Sequence, residues 1–258
     1  MRRQHALRSK LFAVVAAAAL SVLTFGTPAQ ANHAWGSYHW ARTSNPFTLK
    51  LGDNVTAAWD SYLSTASADW SQSTVLDTTI VAGQSTRSCK ATSGRVEVCN
   101  RTYGNNGWLG LASISVTGGT HITSGTAKMN DTYFNTATYN TPAWRLLVMC
   151  QEVAHTFGLD HQDENFDNPN LGTCMDYTSD PDGPPSNLHP NAHDFDQLEA
   201  IYAHLDSFST VDQTQSVPQV GDDRASWGRL VARDGARDTF VRDFANGDKV
   251  ITVVYWVR

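Results

Sequence analysis

The chain has 258 residues, enough for one or two domains, of which 41% are hydrophobic and 17% charged. This apolar share supplies a sizeable core and excludes wholesale disorder. Residues 1–31 carry four basic residues and no acid, which leaves 15 basic against 25 acidic residues and a net charge of −10 in the remainder. An acidic chain repels phosphate backbones, so we expect no nucleic-acid partner.

The N-terminal segment has the pattern of a secretory signal peptide over residues 1–31. Basic residues precede an apolar run, Leu11 to Phe25, that is shorter than the roughly 20 residues needed to cross a bilayer. An A-x-A cleavage pattern follows at residues 29–31. We expect a secreted chain that begins near Asn32, with no membrane partner; a short membrane anchor is the alternative.

Four cysteines in a secreted chain predict two disulfide bonds, and they allow three pairings. Cys89 with Cys99 would close a local hairpin, which leaves Cys150 to pair with Cys174. No C-x-x-C spacing occurs, so neither a four-cysteine zinc site nor a thioredoxin-type redox pair is expected.

The first half of the chain predicts one helix among short strands. Val55 to Trp70 has apolar residues at helical spacing, with Asp53 or Asn54 as the N-cap. Strands are predicted at residues 47–51, 78–81, 94–98, 108–116 and 121–129.

The second half predicts two helices and a β-rich end. Thr141 and Pro142 begin a helix that stops at Gly158. After a loop, Asn191 caps another helix, whose apolar stripe runs from Phe195 to Leu205.

The C-terminal region starts with a polar linker at residues 207–226. Residues 227–258 follow and contain three short predicted strands. Asn246-Gly247 predicts a type I′ hairpin turn between the last two strands. A three-stranded unit this small is only marginally stable on its own, so we expect it to pack against the main domain.

The most informative segment is CQEVAHTFGLDH, which ends at His161. Gln151 and His155 are one helical turn apart and share a face, with Glu152 beside them. Gly158 permits a positive φ, so the chain can leave the helix and bring His161 back toward the same point. Three ligands and a general base can be built this way from eleven residues.

These residues resemble the metzincin metalloproteases, whose pattern is H-E-x-x-H-x-x-G-x-x-H followed by a Met-containing turn. The second element is present as LGTCMDY at residues 171–177. The resemblance covers roughly residues 45–205 and is strongest to the matrixin-like branch. It implies an α/β (α+β) fold over residues 32–206: a twisted mixed sheet of about five strands with three main helices, plus the small C-terminal β-meander.

The resemblance implies a zinc-dependent endopeptidase that acts on peptide or protein as a monomer. His155 and His161 would bind zinc, and Glu152 would act as general base on a metal-activated water. Met175 would form a floor beneath the metal. In the family fold the active-site helix packs on this turn, so a Cys150–Cys174 bridge would clamp the site.

The chain departs from the pattern at the first ligand, where Gln151 replaces histidine. An amide oxygen is a weaker zinc donor than imidazole, although it is also neutral. Gln151 can ligate zinc, a two-histidine site can recruit another ligand or water, or the site can lack zinc. The rival function is a catalytically impaired protein that keeps the fold and binds peptide or protein without cleaving it.

Other residues near the motif have competing interpretations. In some metzincin branches a tyrosine two residues after the methionine of the turn, the position of Tyr177 here, reaches the metal and the oxyanion. The alternative is that the Tyr177 ring only packs beneath the loop. The histidines outside the motif are expected to be surface or structural residues: His33, His39, His121, His189, His193 and His204. The alternative is that His189 or His193 is a spare ligand. The acidic loop Asp160 to Asp167 suits calcium, although no spacing matches an EF-hand and a solvated loop is favoured.

The resemblance also places substrate along an edge strand above the zinc, by β-augmentation. In chain order this strand is Trp108 to Val116, where Gly110 and Ala112 would leave room for a peptide backbone.

Overall fold

The computed structural model describes residues 33–84, 88–234 and 237–258. The predicted signal peptide lies outside them. The described residues belong to one compact unit. In the described ranges the strands are β1 (His39–Trp40), β2 (Phe47–Asn54), β3 (Leu76–Ala82), β4 (Val96–Arg101), β5 (Trp108–Thr117), β6 (His121–Asn130), β7 (Arg229–Asp234), β8 (Arg237–Asp243) and β9 (Lys249–Trp256). The helices there are α1 (Asp60–Trp70), α2 (Asp131–Phe134), α3 (Pro142–His155) and α4 (Ala192–Ile201).

The described strands form one mixed sheet in the order β3-β2-β4-β6-β5-β9-β8-β7, with β1 paired to β6. The half from β3 to β6 is parallel, and every pairing from β6 through β5 to β7 is antiparallel. The predicted mixed α+β class is confirmed. The sheet has nine strands rather than about five, because the short β1 adds to it and the three C-terminal strands continue it.

Strand β5 is an interior strand, so the prediction of an edge strand at Trp108 to Val116 is wrong. Strand β9 pairs with β5 in antiparallel register along almost its whole length. The three C-terminal strands gain a hydrogen-bonded partner in this way, which a unit of that size needs for stability.

Two predicted helix boundaries were wrong. Helix α1 begins at Asp60 rather than Val55, and its N-cap Trp59 makes no side-chain cap. The backbone N–H of Val55 instead donates to the Asp53 carboxylate (3.1 Å), within a turn that precedes the helix. At the other end of the chain, α4 stops at Ile201, and Leu205 is 56% exposed.

The hairpin between β8 and β9 has a different turn from the predicted type I′. Phe244 N donates to the Asp248 carbonyl (2.9 Å), which closes a three-residue loop. Gly247 has φ +87°, whereas Asn246 does not have the positive φ that a type I′ turn needs. A three-residue loop with glycine in the left-handed position is the next most common hairpin type.

Helix α3 begins as predicted and lies across the sheet. The Thr141 hydroxyl caps it by accepting from Trp144 N (3.2 Å), and proline occupies its first position.

Both predicted disulfides, Cys89–Cys99 and Cys150–Cys174, are present, which confirms the pairing. No helix in the described ranges is long and apolar enough to span a membrane.

Candidate functional site

A glycine turn after α3 brings His161 back beside His155. Gly158 has φ +95°, and a Cβ at this position would lie 2.3 Å from the carbonyl oxygen of Tyr38. Only glycine fits both the conformation and this close approach. The predicted positive φ at Gly158 is therefore present, and it lets His155 and His161 meet at the end of the helix.

The Nε2 atoms of His155 and His161 face each other at 3.0 Å in the protein interior. Nδ1 of His155 lies 2.8 Å from the Leu159 carbonyl oxygen, so it carries the proton and leaves the Nε2 lone pair free. Nδ1 of His161 lies 3.5 Å from the carboxylates of Asp160 and Glu164, which favours the same tautomer. Burial, and secondarily His161, lowers the pKa of His155 to about 3 and keeps it neutral.

The amide of Gln151 is held in one orientation. Its Nε2 donates to the Cys174 carbonyl oxygen (2.8 Å), next to the Cys150–Cys174 disulfide. Its Oε1 is buried and has no hydrogen-bond partner within the described part of the chain. The donor side of the amide is therefore satisfied, and the acceptor side is free for a ligand.

Glu152 is fully buried beside Gln151. Neither of its carboxylate oxygens has a hydrogen-bond partner among the described residues, and burial raises its pKa well above the usual value. A Cβ on Gly110 would lie 2.2 Å from Glu152 Oε1 and 2.7 Å from Val148. We predicted that Gly110 makes room for a substrate backbone; the structure fills that room with the Glu152 carboxylate.

Two tyrosines complete the cluster. The ring of Tyr177 lies 4.4 Å from that of His161 and 4.5 Å from that of Tyr255, between centroids. Both hydroxyls are buried without a hydrogen-bond partner in the described ranges. Sequence reasoning missed Tyr255, because its place depends on the register of β9, which puts it opposite Gly110. No local pattern around Tyr255 indicates that long-range pairing.

The free donor atoms of this cluster fit a divalent metal ion. Leaving a buried polar group unpaired costs about 1–3 kcal/mol, so the unpaired oxygens of Gln151, Glu152 and Tyr177 call for a partner. Gln151 and Glu152 share helix α3 with His155, and the Tyr177 ring lies beside that of His161. Two imidazole nitrogens and an oxygen ligand suit zinc. Met175 is buried in the core near this cluster, and its carbonyl accepts from Gln162 N (2.6 Å).

A second group of donors lies on the Nδ1 side of His161, formed with Asp160 and Glu164. Arg237 from β8 already contacts both carboxylates, with its Nη1 3.0 Å from Asp160 Oδ1. Burial works to raise the pKa of Asp160, but His161 and Arg237 lower it below the usual value overall. A positive charge at this position disfavours calcium there.

The C-terminal strands close the site. Gln151, Glu152 and His155 have no exposed surface, and His161 is 7% exposed. A cleft of about 520 Å³ reaches His161 from outside, between the acidic loop and Arg258. His161 is the proposed zinc ligand that lines this cleft.

The two histidines proposed as spare ligands lie elsewhere. His189 is about half exposed and pairs with Asp69 (2.6 Å). His193 stacks on His33, with ring centroids 4.8 Å apart. Each has a partner away from the two facing imidazoles, so the geometry agrees with a surface or structural role and does not support the spare-ligand alternative.

Comparisons with known proteins give little further information. No family model matches the chain, and no curated protein matches it. Among solved structures, it is similar to high choriolytic enzyme 1, a hatching enzyme zinc-protease from Oryzias latipes (medaka fish). The identity is 10%, the match covers 67% of this chain and 98% of the other, and the TM-score is 0.36. At that score the likeness carries no weight for function.

Proposed function

We propose that the chain is a secreted zinc metalloendopeptidase. His155 and His161 hold the metal through Nε2, and the Oε1 of Gln151 is the third ligand. The observation that carries the proposal is the pair of facing Nε2 atoms, 3.0 Å apart, together with the buried, unpartnered oxygens of Gln151 and Glu152 on the same helix as His155. The signal-peptide pattern and the two disulfides support secretion.

Zinc, when bound, acidifies a water molecule and polarises the substrate carbonyl. Glu152 takes a proton from the attacking water and gives it to the leaving amine. Its desolvated carboxylate, whose pKa is raised by burial, suits both tasks. The Tyr177 hydroxyl donates to the oxygen on which charge develops in the transition state.

Glu152 favours hydrolysis over the rival function, in which the chain only binds peptide. A carboxylate that is buried, with no hydrogen-bond partner among the described residues, is costly and stabilises nothing visible in the fold. A protein without chemistry at this site would lose nothing by replacing it with an apolar residue.

Gln151 sets how tightly the metal is held. Gln151→His is expected to tighten zinc binding about tenfold or more and to keep or raise hydrolysis, because imidazole is the better donor. Gln151→Ala is expected to lose zinc at a lower chelator concentration. Chelator titration with a zinc-sensitive dye measures both. Equal zinc retention by the Ala variant and the unsubstituted chain would show that Gln151 is not a ligand.

The pairing of β9 with β5 makes the intact chain a closed form of the proposed enzyme. Strand β9 occupies the side of β5 on which an added peptide strand would pair, and Tyr255 lies opposite Gly110, whose Cβ position faces Glu152. Arg237 joins this unit to the segment around His161 through Asp160 and Glu164. Peptide access therefore requires the C-terminal strands to move.

Weakening that connection is expected to raise activity. Arg237→Ala removes the contacts to both carboxylates, and each 1.4 kcal/mol lost from the closed form raises a minor open population about tenfold. We expect a rise of about this size in the initial rate on a fluorogenic peptide mixture. Arg233→Ala is the matched control, because Arg233 is exposed and pairs with Asp238 inside the unit. Equal rates in the two variants would contradict the closed-form account.

A further inference from the structure

A second group of histidines, remote in sequence from the first, converges on one carboxylate oxygen. His39 lies in β1, His121 begins β6, and His204 and Asp206 follow α4. Oδ1 of Asp206 lies 3.6 Å from Nε2 of His39, 3.4 Å from that of His121 and 3.8 Å from that of His204. The Nε2 atoms of His39 and His204 are 3.2 Å apart.

The distances between these donor atoms match those between ligand atoms around a single zinc ion. A zinc ion with ligands at about 2.0–2.1 Å in tetrahedral geometry places the ligand atoms about 3.3 Å from one another. The three separations among His39, His204 and Asp206 are 3.2–3.8 Å, and His121 lies 3.4 Å from the same carboxylate oxygen. The three distances from histidine Nε2 atoms to Asp206 Oδ1 exceed the 2.7–3.2 Å typical of a hydrogen bond, so direct hydrogen bonding explains them poorly.

The partners of these residues leave the converging atoms free. Oδ2 of Asp206 accepts from the backbone N (3.2 Å) and Nη1 (3.1 Å) of Arg42, which directs Oδ1 toward the imidazoles. Nδ1 of His39 lies 2.8 Å from the Ser37 carbonyl oxygen, so its proton is placed there and the Nε2 lone pair is free. The ring of His39 is close to perpendicular to those of His121 and His204, at 81° and 84°.

Charge also favours a metal ion here. A neutral imidazole is the form that binds metal. Arg42 already balances Asp206, so the carboxylate does not require a protonated histidine as counter-ion.

We propose that His39, His204 and Asp206 bind a zinc ion, separate from the site at His155 and His161, with His121 beside Asp206 as the fourth ligand. With His121 bound the ion would have no open position, as is typical of structural rather than catalytic zinc. The ion would join β1, the start of β6 and the segment after α4. Trp40, next to His39, donates through Nε1 to the Thr156 carbonyl (2.9 Å), so the site would also brace the turn that positions His161.

Zinc stoichiometry of the full mature chain tests this inference. The chain is stripped with chelator, reloaded with zinc, dialysed and measured by elemental analysis beside His204→Ala. The His204 side chain is 54% exposed, so the variant is expected to keep its fold, which circular dichroism checks. His189→Ala, which removes another half-exposed histidine, is the control.

We expect His204→Ala to bind one zinc fewer per chain than both the unsubstituted protein and the control. It should also lose most of the rise in Tm that added zinc produces. The difference of one zinc is expected whether or not the proposed catalytic zinc binds, because that ion contributes equally to all three proteins. Equal zinc content in the three proteins would overturn the inference.

Discussion

Replacing Glu152 with glutamine is expected to lower kcat by about 10²–10⁴ while leaving the zinc content unchanged. The substitution keeps the size of a fully buried side chain and removes its ability to accept and return a proton. Glu152 is not among the three proposed zinc ligands, so the metal should stay bound. Steady-state hydrolysis of a fluorogenic peptide and elemental analysis of the same sample measure the two quantities.

Glu199→Gln is the matched control for this prediction. Glu199 lies on α4 and its carboxylate accepts from Thr74 (2.7 Å) at the surface, away from the site. The control should hydrolyse peptide at the unsubstituted rate. A Glu152→Gln variant with a kcat within threefold of the control would remove Glu152 from the chemistry.

Tyr177→Phe is expected to lower kcat by about 10²–10³ with little change in folding. The ring, which packs between His161 and Tyr255, is kept, and only a hydroxyl without a visible hydrogen-bond partner in the described ranges is lost. An oxyanion donor acts mainly in the transition state, so the fall should appear in kcat more than in KM. If the hydroxyl also ligates zinc, chelator titration will show weaker binding.

Tyr62→Phe, on α1, controls for the loss of a tyrosine hydroxyl remote from the site. Circular dichroism and Tm show whether either variant is misfolded. Unchanged kcat and unchanged zinc affinity in Tyr177→Phe would leave Tyr177 as a packing residue, which is the alternative interpretation of the sequence.

Local chemistry made the candidate site predictable from the sequence. The cap at Thr141, the helical spacing of Gln151 and His155, and the positive φ of Gly158 each depend on a few neighbouring residues. Together they are enough to place His161 opposite His155. The same kind of local argument gave the correct capping of α4 at Asn191, where a full capping box is present.

Contacts between distant segments could not be predicted in this way. The pairing of β9 with β5 buries the site and adds Tyr255, but nothing near Tyr255 in the sequence specifies the partner strand. His39, His121 and His204 meet at Asp206 from three elements that lie far apart in the chain, so each histidine on its own indicated only a surface or structural role. The start of α1 was also decided by tertiary contacts, since Thr56 N donates to the distant Asn100 side chain (2.6 Å).

An anomalous difference map at the zinc absorption edge, from crystals of the zinc-loaded mature chain, tests the central claim most directly. It locates the ion rather than counting it, so the two proposed sites are distinguished in one measurement. We predict a peak about 2.0–2.1 Å from Nε2 of His155 and of His161, with the Gln151 Oε1 also coordinated. A map with no peak between those two nitrogen atoms would contradict the assignment of this site as a zinc centre.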